Sequence, residues 1–279
     1  MNHTEPLWFT QRLAALDFEA SDKTPETAHI VTCALILVGG GLEPDTREWL
    51  INPGIPMEPG AIEKHKITDE YAAEHGMDAE QGVGEIAKAI TEVVAAGVPL
   101  VGHNLGGYDL NLLDRECRRH LGDSLEGVVR QPLTRVIDTM ILDWYAAPYR
   151  RRVSQDQGPY EMKTTAQTYG LGWDDEKAHE AKYDALMSAK AAYKMGVIAH
   201  KAPQDRPDWV QQLRNSRGPY ERFNDLAGVD VEELHRRQVG WAASRAAGLQ
   251  EHFRKKDPAV VIDGTWPLRP VPAQRGGAA

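Results

Sequence analysis

The residues of this chain best suited to chemistry are carboxylates at the ends of apolar segments, with one histidine close to the last of them. In LAALDFEAS, residues 13–21, an apolar run delivers Asp17 and Glu19 on either side of Phe18. As a strand this stretch alternates faces, so the two acids point the same way. Two carboxylates on one face at the end of a core strand repel each other and lose hydration unless a cation sits between them. A divalent metal would serve; solvated acids at an ordinary strand end are the plain alternative. Asp109 follows an apolar segment and a Gly-rich turn, HNLGGYD, and opens a helix. Asp184 lies in HEAKYDA at the start of another helix, five residues after His179.

Phosphodiester hydrolysis on two metals needs this inventory. Hard cations take several carboxylate oxygens. Two ions about 3.5–4 Å apart stabilise the attacking and leaving oxygens of an in-line displacement. A base of near-neutral pKa must then deprotonate the attacking water, and histidine is the usual choice.

Acids so far apart in sequence meet only if the intervening elements converge on one edge. Branched residues and terminal glycines make HIVTCALILVGG (29–40) a second strand, and REWLINPG (47–54) a third that ends at Pro53-Gly54. The links are too short for crossover helices, so these strands form an antiparallel meander. After a turn-rich, then helical segment (55–76), residues 78–97 place Val83, Ile86, Ile90 and Val93 at helical spacing, with Gly97 as a C-cap. VPLVGHN (98–104) reads as a buried parallel strand before a helix over 108–121, and RVIDTMILDWYA (135–146) repeats that plan. Residues 148–163 lack an apolar period and read as a mobile loop. Helices follow over 163–171 and roughly 178–200. This order predicts an α/β fold with a mixed sheet.

Beyond residue 201 a Pro/Asp/Arg-rich linker leads to an amphipathic helix over 231–256, with Val239, Ala242, Ala246, Leu249 and Phe253 on its apolar face. The Pro/Gly-rich tail from Asp257 is expected to hold a short β-like run, AVVIDG, before it frays. The chain therefore divides into a catalytic domain, residues 8–200, and a helical C-terminal extension with a flexible tail, residues 201–279.

Composition is that of a globular protein with a real core: 42% hydrophobic and 26% charged residues over 279 positions. No apolar run reaches a membrane-spanning length and the N-terminus lacks a signal-peptide layout, so a cytoplasmic protein is expected. Two cysteines, Cys33 and Cys117, are too few for a disulfide framework or a cysteine zinc site. The net charge of −9 is concentrated in residues 1–200, with 19 Lys+Arg against 31 Asp+Glu; residues 201–279 carry 13 against 10. Acidity on this scale disfavours strong non-specific duplex binding, but it leaves room for a small metal-centred phosphate site.

Taken in order, the acids and the histidine resemble the DEDDh 3′–5′ exonucleases, a family on an RNase H-like fold that includes RNase T and oligoribonuclease. DFEAS matches the family's acid-x-acid strand, HNLGGYD its second motif, and HEAKYDA its third, His-x-Ala-x-x-Asp-Ala, residue for residue. The resemblance covers roughly residues 10–200. Glu180 stands where a sister group carries tyrosine, which marks the histidine type. The resemblance implies a five-stranded mixed sheet flanked by helices and two divalent cations, Mg²⁺ or Mn²⁺. Asp17 would bridge both ions, Glu19 and Asp184 would complete one site, and Asp109 would hold the other, with His179 as general base. The expected activity is release of nucleoside monophosphates from the 3′ ends of single-stranded nucleic acid, DNA favoured and RNA open. A catalytically weak nucleic-acid-binding or polymerase-associated scaffold, or an oligoribonuclease-like RNA exonuclease, are the alternatives. The extension leaves open a homodimer or a polymerase or repair partner.

The 3′ nucleotide would lie over Phe18 and Ala20, with His103 and Asn104 as further substrate contacts or simple turn caps. Two departures stand out. Ala20 occupies a position where many members carry Thr or Ser, with Ser21 next, and the second motif has a Gly-Gly linker one residue longer than usual. Asp138 reads as a helix cap or a support of the site. Arg150, Arg151 and Arg152 suit either a phosphate grip or a solvated loop, Tyr108 and Tyr160 either base stacking or core, and Trp241 packing.

Overall fold

Strand β1, Leu13–Ala20, is the spine of the molecule because nearly all of its side chains find apolar partners on both faces. Ala14, Leu16, Phe18 and Ala20 pack on one side of the sheet and Leu13 and Ala15 on the other. A computed structural model describes residues 7–148, 150, 152, 157–215 and 220–271. In it β1 pairs antiparallel with β2, Ile30–Val38, which pairs antiparallel with β3, Asp45–Leu50. On its other edge β1 runs parallel to β4, Leu100–Gly102, and β4 parallel to β5, Val136–Asp138. The strand order β3-β2-β1-β4-β5 is the mixed, five-stranded sheet expected from the sequence.

Helices cover both faces. After α1, Pro59–His65, and α2, Asp69–His75, helix α3, Ala79–Ala95, buries Val83, Ile86, Ile90 and Val93 on the face read from their spacing. Helix α4, Asp109–His120, lies beside it, and the short α5, Leu125–Val129, was not foreseen. α6, Thr139–Ala146, and α7, Met162–Thr168, follow β5. On the opposite face α8, Ala181–His200, presents Ala185, Ala189 and Ala192 to the layer beneath β1. Small side chains let its axis approach the sheet and carry its first turn to the end of β1.

Residues after 200 are part of this packing. Val210 of α9, Asp208–Asn215, and Phe223 and Leu226 of a short 3-10 turn are buried in the same core as α8. Trp8 is fully buried too, and its indole donates to the Leu226 carbonyl at 2.8 Å. Helix α10, Val231–Arg254, covers the exposed edge of β5 with polar side chains. The Asp138 amide donates to Gln238 Oε1 at 2.7 Å, Gln238 Nε2 donates to the Val136 carbonyl at 2.9 Å, and the Val136 amide donates to His235 Nδ1 at 3.3 Å. An open sheet edge is thereby closed without an added strand.

This corrects the apolar face expected for the last helix. Of the five residues on that face Ala246 is buried and Ala242 packs against the core, but Val239, Leu249 and Phe253 remain exposed. Val231 and Leu234, a further pair at helical spacing, are buried together with His235 and Gln238. The partner is a strand edge with unsatisfied amide groups, so it selects hydrogen-bonding residues over the most apolar stripe. Trp241 does pack, stacked on Tyr145 at 3.7 Å between ring centres. The structure forms no strand over AVVIDG. The fraying expected from Asp257 is also corrected up to residue 271: Trp266 is buried, and the Pro267, Arg269 and Pro270 backbones bond to Asn111 and Arg115 of α4. Among the described residues no helix is long and apolar enough to cross a membrane.

Candidate active site

Because side chains alternate along β1, Asp17 and Glu19 emerge on the face covered by α8, and both are half-buried. The ladder between β1 and β2 skips Val31 between Glu19 and Ala20, a bulge at the very end of the acidic pair. Val31 is buried there against Met57 and Ala72, next to the segment that brings α1 up to the site.

Asp109 is the first residue of α4, and its Oδ1 accepts the Phe18 amide at 3.2 Å, so the carboxylate is tied to β1 itself. The turn before it is shaped by side chains that leave no room for a Cβ. One at Gly106 would collide with the Trp266 indole, and one at Gly107 with the Asn104 side chain. Both glycines of the longer linker are thus required by close approach. Asp138 caps α6 through the Met140 amide and also accepts the Asn104 and Gly106 amides. It supports the turn as a helix cap would, and its charge adds to those that raise Asp109.

Asp184 enters from the first turn of α8. Its Oδ2 accepts the His179 amide at 3.0 Å, which holds His179 at φ +66°, a left-handed conformation uncommon outside glycine. Asp184 Oδ1 is buried with no protein partner. Ligand atoms of Glu19, His179 and Asp184 all lie within 4.8 Å of one another.

The charges confirm how close the acids stand. Burial, then Asp109, Glu19 and Asp184, push the Asp17 carboxyl far above its usual range. Burial, then Asp184 and Asp109, raise Glu19 to about 9, against a small opposing effect of Lys64. Burial raises Asp109 strongly, and raises Asp184 to about 6. Four carboxylates in mutual repulsion, one with an orphaned buried oxygen, form a donor set that fits hard divalent cations. His179 moves the other way: burial, then Lys64 and Lys66, lower it and keep its imidazole neutral near neutral pH.

A cleft of about 700 Å³ opens over this cluster, lined by Phe18, Glu19, Ala20, Lys23, Lys64, His65, Tyr108 and His179 among others. Lys64 and His65, at the end of α1, were not singled out from the sequence, where their segment carried only turn and helix signals. A second cleft, about 480 Å³, between α6 and α10 is apolar and remote from the four acids.

Of the other expected contacts, Phe18 and Ala20 border the cleft, whereas His103 and Asn104 do not. The His103 ring is engaged inside the fold, Nδ1 with Thr139 Oγ1 and Nε2 with the Tyr160 carbonyl, each at 2.8 Å. Asn104 adopts φ +64°, and its carbonyl accepts the Gly107 and Tyr108 amides, the work of a turn. Ser21 cannot replace a hydroxyl at Ala20, since its Oγ accepts the His29 amide and it is buried. Arg150 is also corrected. It is buried and paired in two-pronged fashion with Asp143, with further bonds to Thr165 and Thr168, and so does not grip a phosphate. Arg151 lies outside the described residues, and Arg152 is exposed. The Tyr108 hydroxyl donates to the Asp22 carbonyl at the cleft wall, and Tyr160 donates to the Ala147 and Pro148 carbonyls.

Residues 14–192 match the family model described as Exonuclease, of RNase T type. Among solved structures, Escherichia coli Exonuclease I in complex with a dT13 oligonucleotide aligns with a TM-score of 0.54 at 16% identity, covering 74% of this chain and 44% of that one. Its zinc-bound complex with single-stranded DNA gives the same figures. The likeness is one of fold, and this chain spans less than half the length of that protein. No curated protein sequence matches the chain.

Proposed function

This chain belongs to the exonuclease family whose model spans most of it, the DEDDh group on an RNase H-like fold, and on that premise we propose that it is a metal-dependent 3′–5′ exonuclease. Its substrate in this reading is the 3′ end of single-stranded nucleic acid, DNA in the first instance, and its products are nucleoside 5′-monophosphates. The observation that carries the reading is the convergence of Asp17, Glu19, Asp109 and Asp184, from β1, α4 and α8, at one cleft with a neutral histidine at its edge.

Asp17, Glu19, Asp109 and Asp184 would hold two divalent cations, Mg²⁺ or Mn²⁺. When bound, such ions supply the positive charge that offsets the carboxylates and the phosphate oxygens. The rest is done by the chain. The 3′-terminal nucleotide lies in the cleft along Phe18 and Ala20, with Lys23 and Lys64 close to its phosphates. His179 takes a proton from the attacking water; the water oxygen forms a bond to phosphorus as the bond to the 3′ oxygen of the shortened strand breaks. That 3′ oxygen leaves with a proton from solvent. The hydrogen bond from the His179 amide to Asp184 fixes the base relative to the acids.

Residues 8–200 carry the chemistry in this proposal. Residues 201–271 close the β5 edge and brace the turn before Asp109, so the extension acts as a scaffold for the site. The DNA complexes of the structural neighbour support single-stranded DNA as the substrate. A panel of 3′-labelled single-stranded DNA, duplex DNA and short RNA tests the proposal. Release of labelled mononucleotide from single strands with Mg²⁺, abolished by chelator, is expected. Binding without release from any substrate supports a scaffold instead.

A further inference from the structure

We propose a second metal site, formed by His29, Glu116 and His120, that takes one borderline transition-metal ion of the Zn²⁺ class. Glu116 and His120 lie one turn apart on α4, and His29 enters from the residue before β2. Their ligand atoms all fall within 4.8 Å of one another. His29 Nδ1 stands 3.7 Å from Glu116 Oε1, and His120 Nε2 stands 3.8 Å from the same oxygen. Both nitrogens are buried, and neither has a hydrogen-bond partner.

Two orphaned imidazole nitrogens aimed at one buried carboxylate oxygen need an explanation, because an unmet buried polar atom is costly. A tetrahedral zinc with nitrogen and oxygen ligands at roughly 2.0–2.2 Å sets its ligand atoms about 3.4 Å apart. The two histidine–carboxylate separations are a few tenths of an ångström wider, and the two imidazole nitrogens lie within 4.8 Å of each other, so modest side-chain adjustment closes the set. Glu116 Oε2 accepts the Ile30 amide at 3.1 Å, an outer bond that orients the carboxylate. Burial, then Arg119, then His120, lower His29 to about 4, and burial, then Arg119, lowers His120; neutral imidazole is the form that ligates. Two imidazoles and one carboxylate favour zinc over the hard cations suited to the four-acid cleft.

Arg119 is the competitor. Its guanidinium bonds Glu116 Oε1 and the Ala28 carbonyl, and its side chain is partly exposed, so zinc binding would require it to give up the Glu116 bond. The site is distinct from the cleft: Glu116 lies two turns down α4 from Asp109, roughly 10 Å along the axis. The ion would fasten the end of the loop 21–29, whose Asp22, Lys23 and Thr24 line the cleft, to the helix that carries Asp109.

Zinc bound to the full chain after dialysis with excess Mg²⁺ tests this, counted by elemental analysis and titrated calorimetrically. The same measurement in an Asp17→Asn/Asp184→Asn variant takes carboxylates from both the four-acid set and the Glu19–His179–Asp184 group of the cleft, whatever the catalytic proposal's fate. One zinc per chain is expected to remain there. Affinity should fall roughly tenfold or more in His29→Gln, His120→Gln and Glu116→Gln, the last retaining an acceptor for the Ile30 amide, with metal-free circular dichroism verifying the fold. Arg119→Gln should bind zinc more tightly than the parent, which a purely structural ion cluster would not do. No retained zinc in the Asp17→Asn/Asp184→Asn background, or equal zinc affinity in the parent and both histidine variants, overturns the assignment.

Discussion

Replacing Glu19 by glutamine should stabilise the metal-free protein while abolishing its activity. Burial and the neighbouring acids raise the Glu19 carboxyl from 4.5 to about 9 in the folded chain. A carboxyl raised by folding holds its proton more tightly folded than unfolded. Its contribution is therefore neutral below the unfolded value and costs stability as pH climbs from about 4.5 towards about 9. At about 1.4 kcal/mol per pH unit, the cost at pH 7 approaches roughly 3 kcal/mol, and solvent at the cleft mouth brings it to roughly 2–3 kcal/mol. Glu19→Gln keeps the shape and removes this titration. Urea unfolding in chelator should show the variant more stable than the parent by that amount near pH 7 and equal to it near pH 4.5. The difference between the two proteins is the quantity to follow, because the half-buried His29 and the buried His235 add their own pH dependence to both. Adding Mg²⁺ or Mn²⁺ should stabilise the parent more than the variant. A glutamine variant less stable than the parent at pH 7 in chelator would refute the picture of four carboxylates held against their own repulsion.

Three further outcomes follow from the same geometry. Trp266→Ala should cost about 3–5 kcal/mol by chemical denaturation and lower kcat more than raise KM, because the indole fills the space over Gly106 in the turn before Asp109; unchanged stability would mean that the tail is not docked. His179→Ala should reduce turnover roughly 10²–10⁴-fold and erase the acidic limb of the pH profile, which in the parent should fall below the ordinary histidine range because burial and two lysines lower His179. Arg150→Ala should cost about 3–5 kcal/mol by leaving the buried Asp143 unpaired, without altering the salt dependence of substrate binding; a weakened salt dependence would restore a phosphate-gripping role.

The parts of the molecule that local pattern could reveal were those whose cause is local. Alternation in LAALDFEAS put Asp17 and Glu19 on one face, and the 3.6-residue period of α3 named its buried side. The antiparallel meander of the first three strands followed from linker lengths. What escaped depends on partners far away in sequence. Nothing near Trp266 signals that it will seat against Gly106, 160 residues earlier, in a Pro-rich tail. Gln238 and His235 were not singled out from the sequence, because their role depends on the open edge of β5, whose backbone groups they satisfy. Arg150 read as one of three arginines suited to a phosphate grip or a solvated loop because its partner, Asp143, lies inside a helix of otherwise apolar pattern. Lys64 and His65 sit in a short helix whose sequence carries only turn and helix signals, and the bulge at Val31 that lies beside it leaves no mark in composition. Site acids were legible because chemistry restricts residue type, whereas the walls around them are set by packing.

The central claim is that the four acids and His179 remove nucleotides from 3′ ends. Single-stranded DNA labelled at its 5′ end, incubated with the protein and Mg²⁺ and resolved by length, tests it most directly, with Asp17→Asn alongside. A ladder shortening one nucleotide at a time from the 3′ end with the parent, and an intact strand with the variant, is the predicted result. Internal cleavage, release of the 5′ label as a mononucleotide, or equal shortening by both proteins would contradict it.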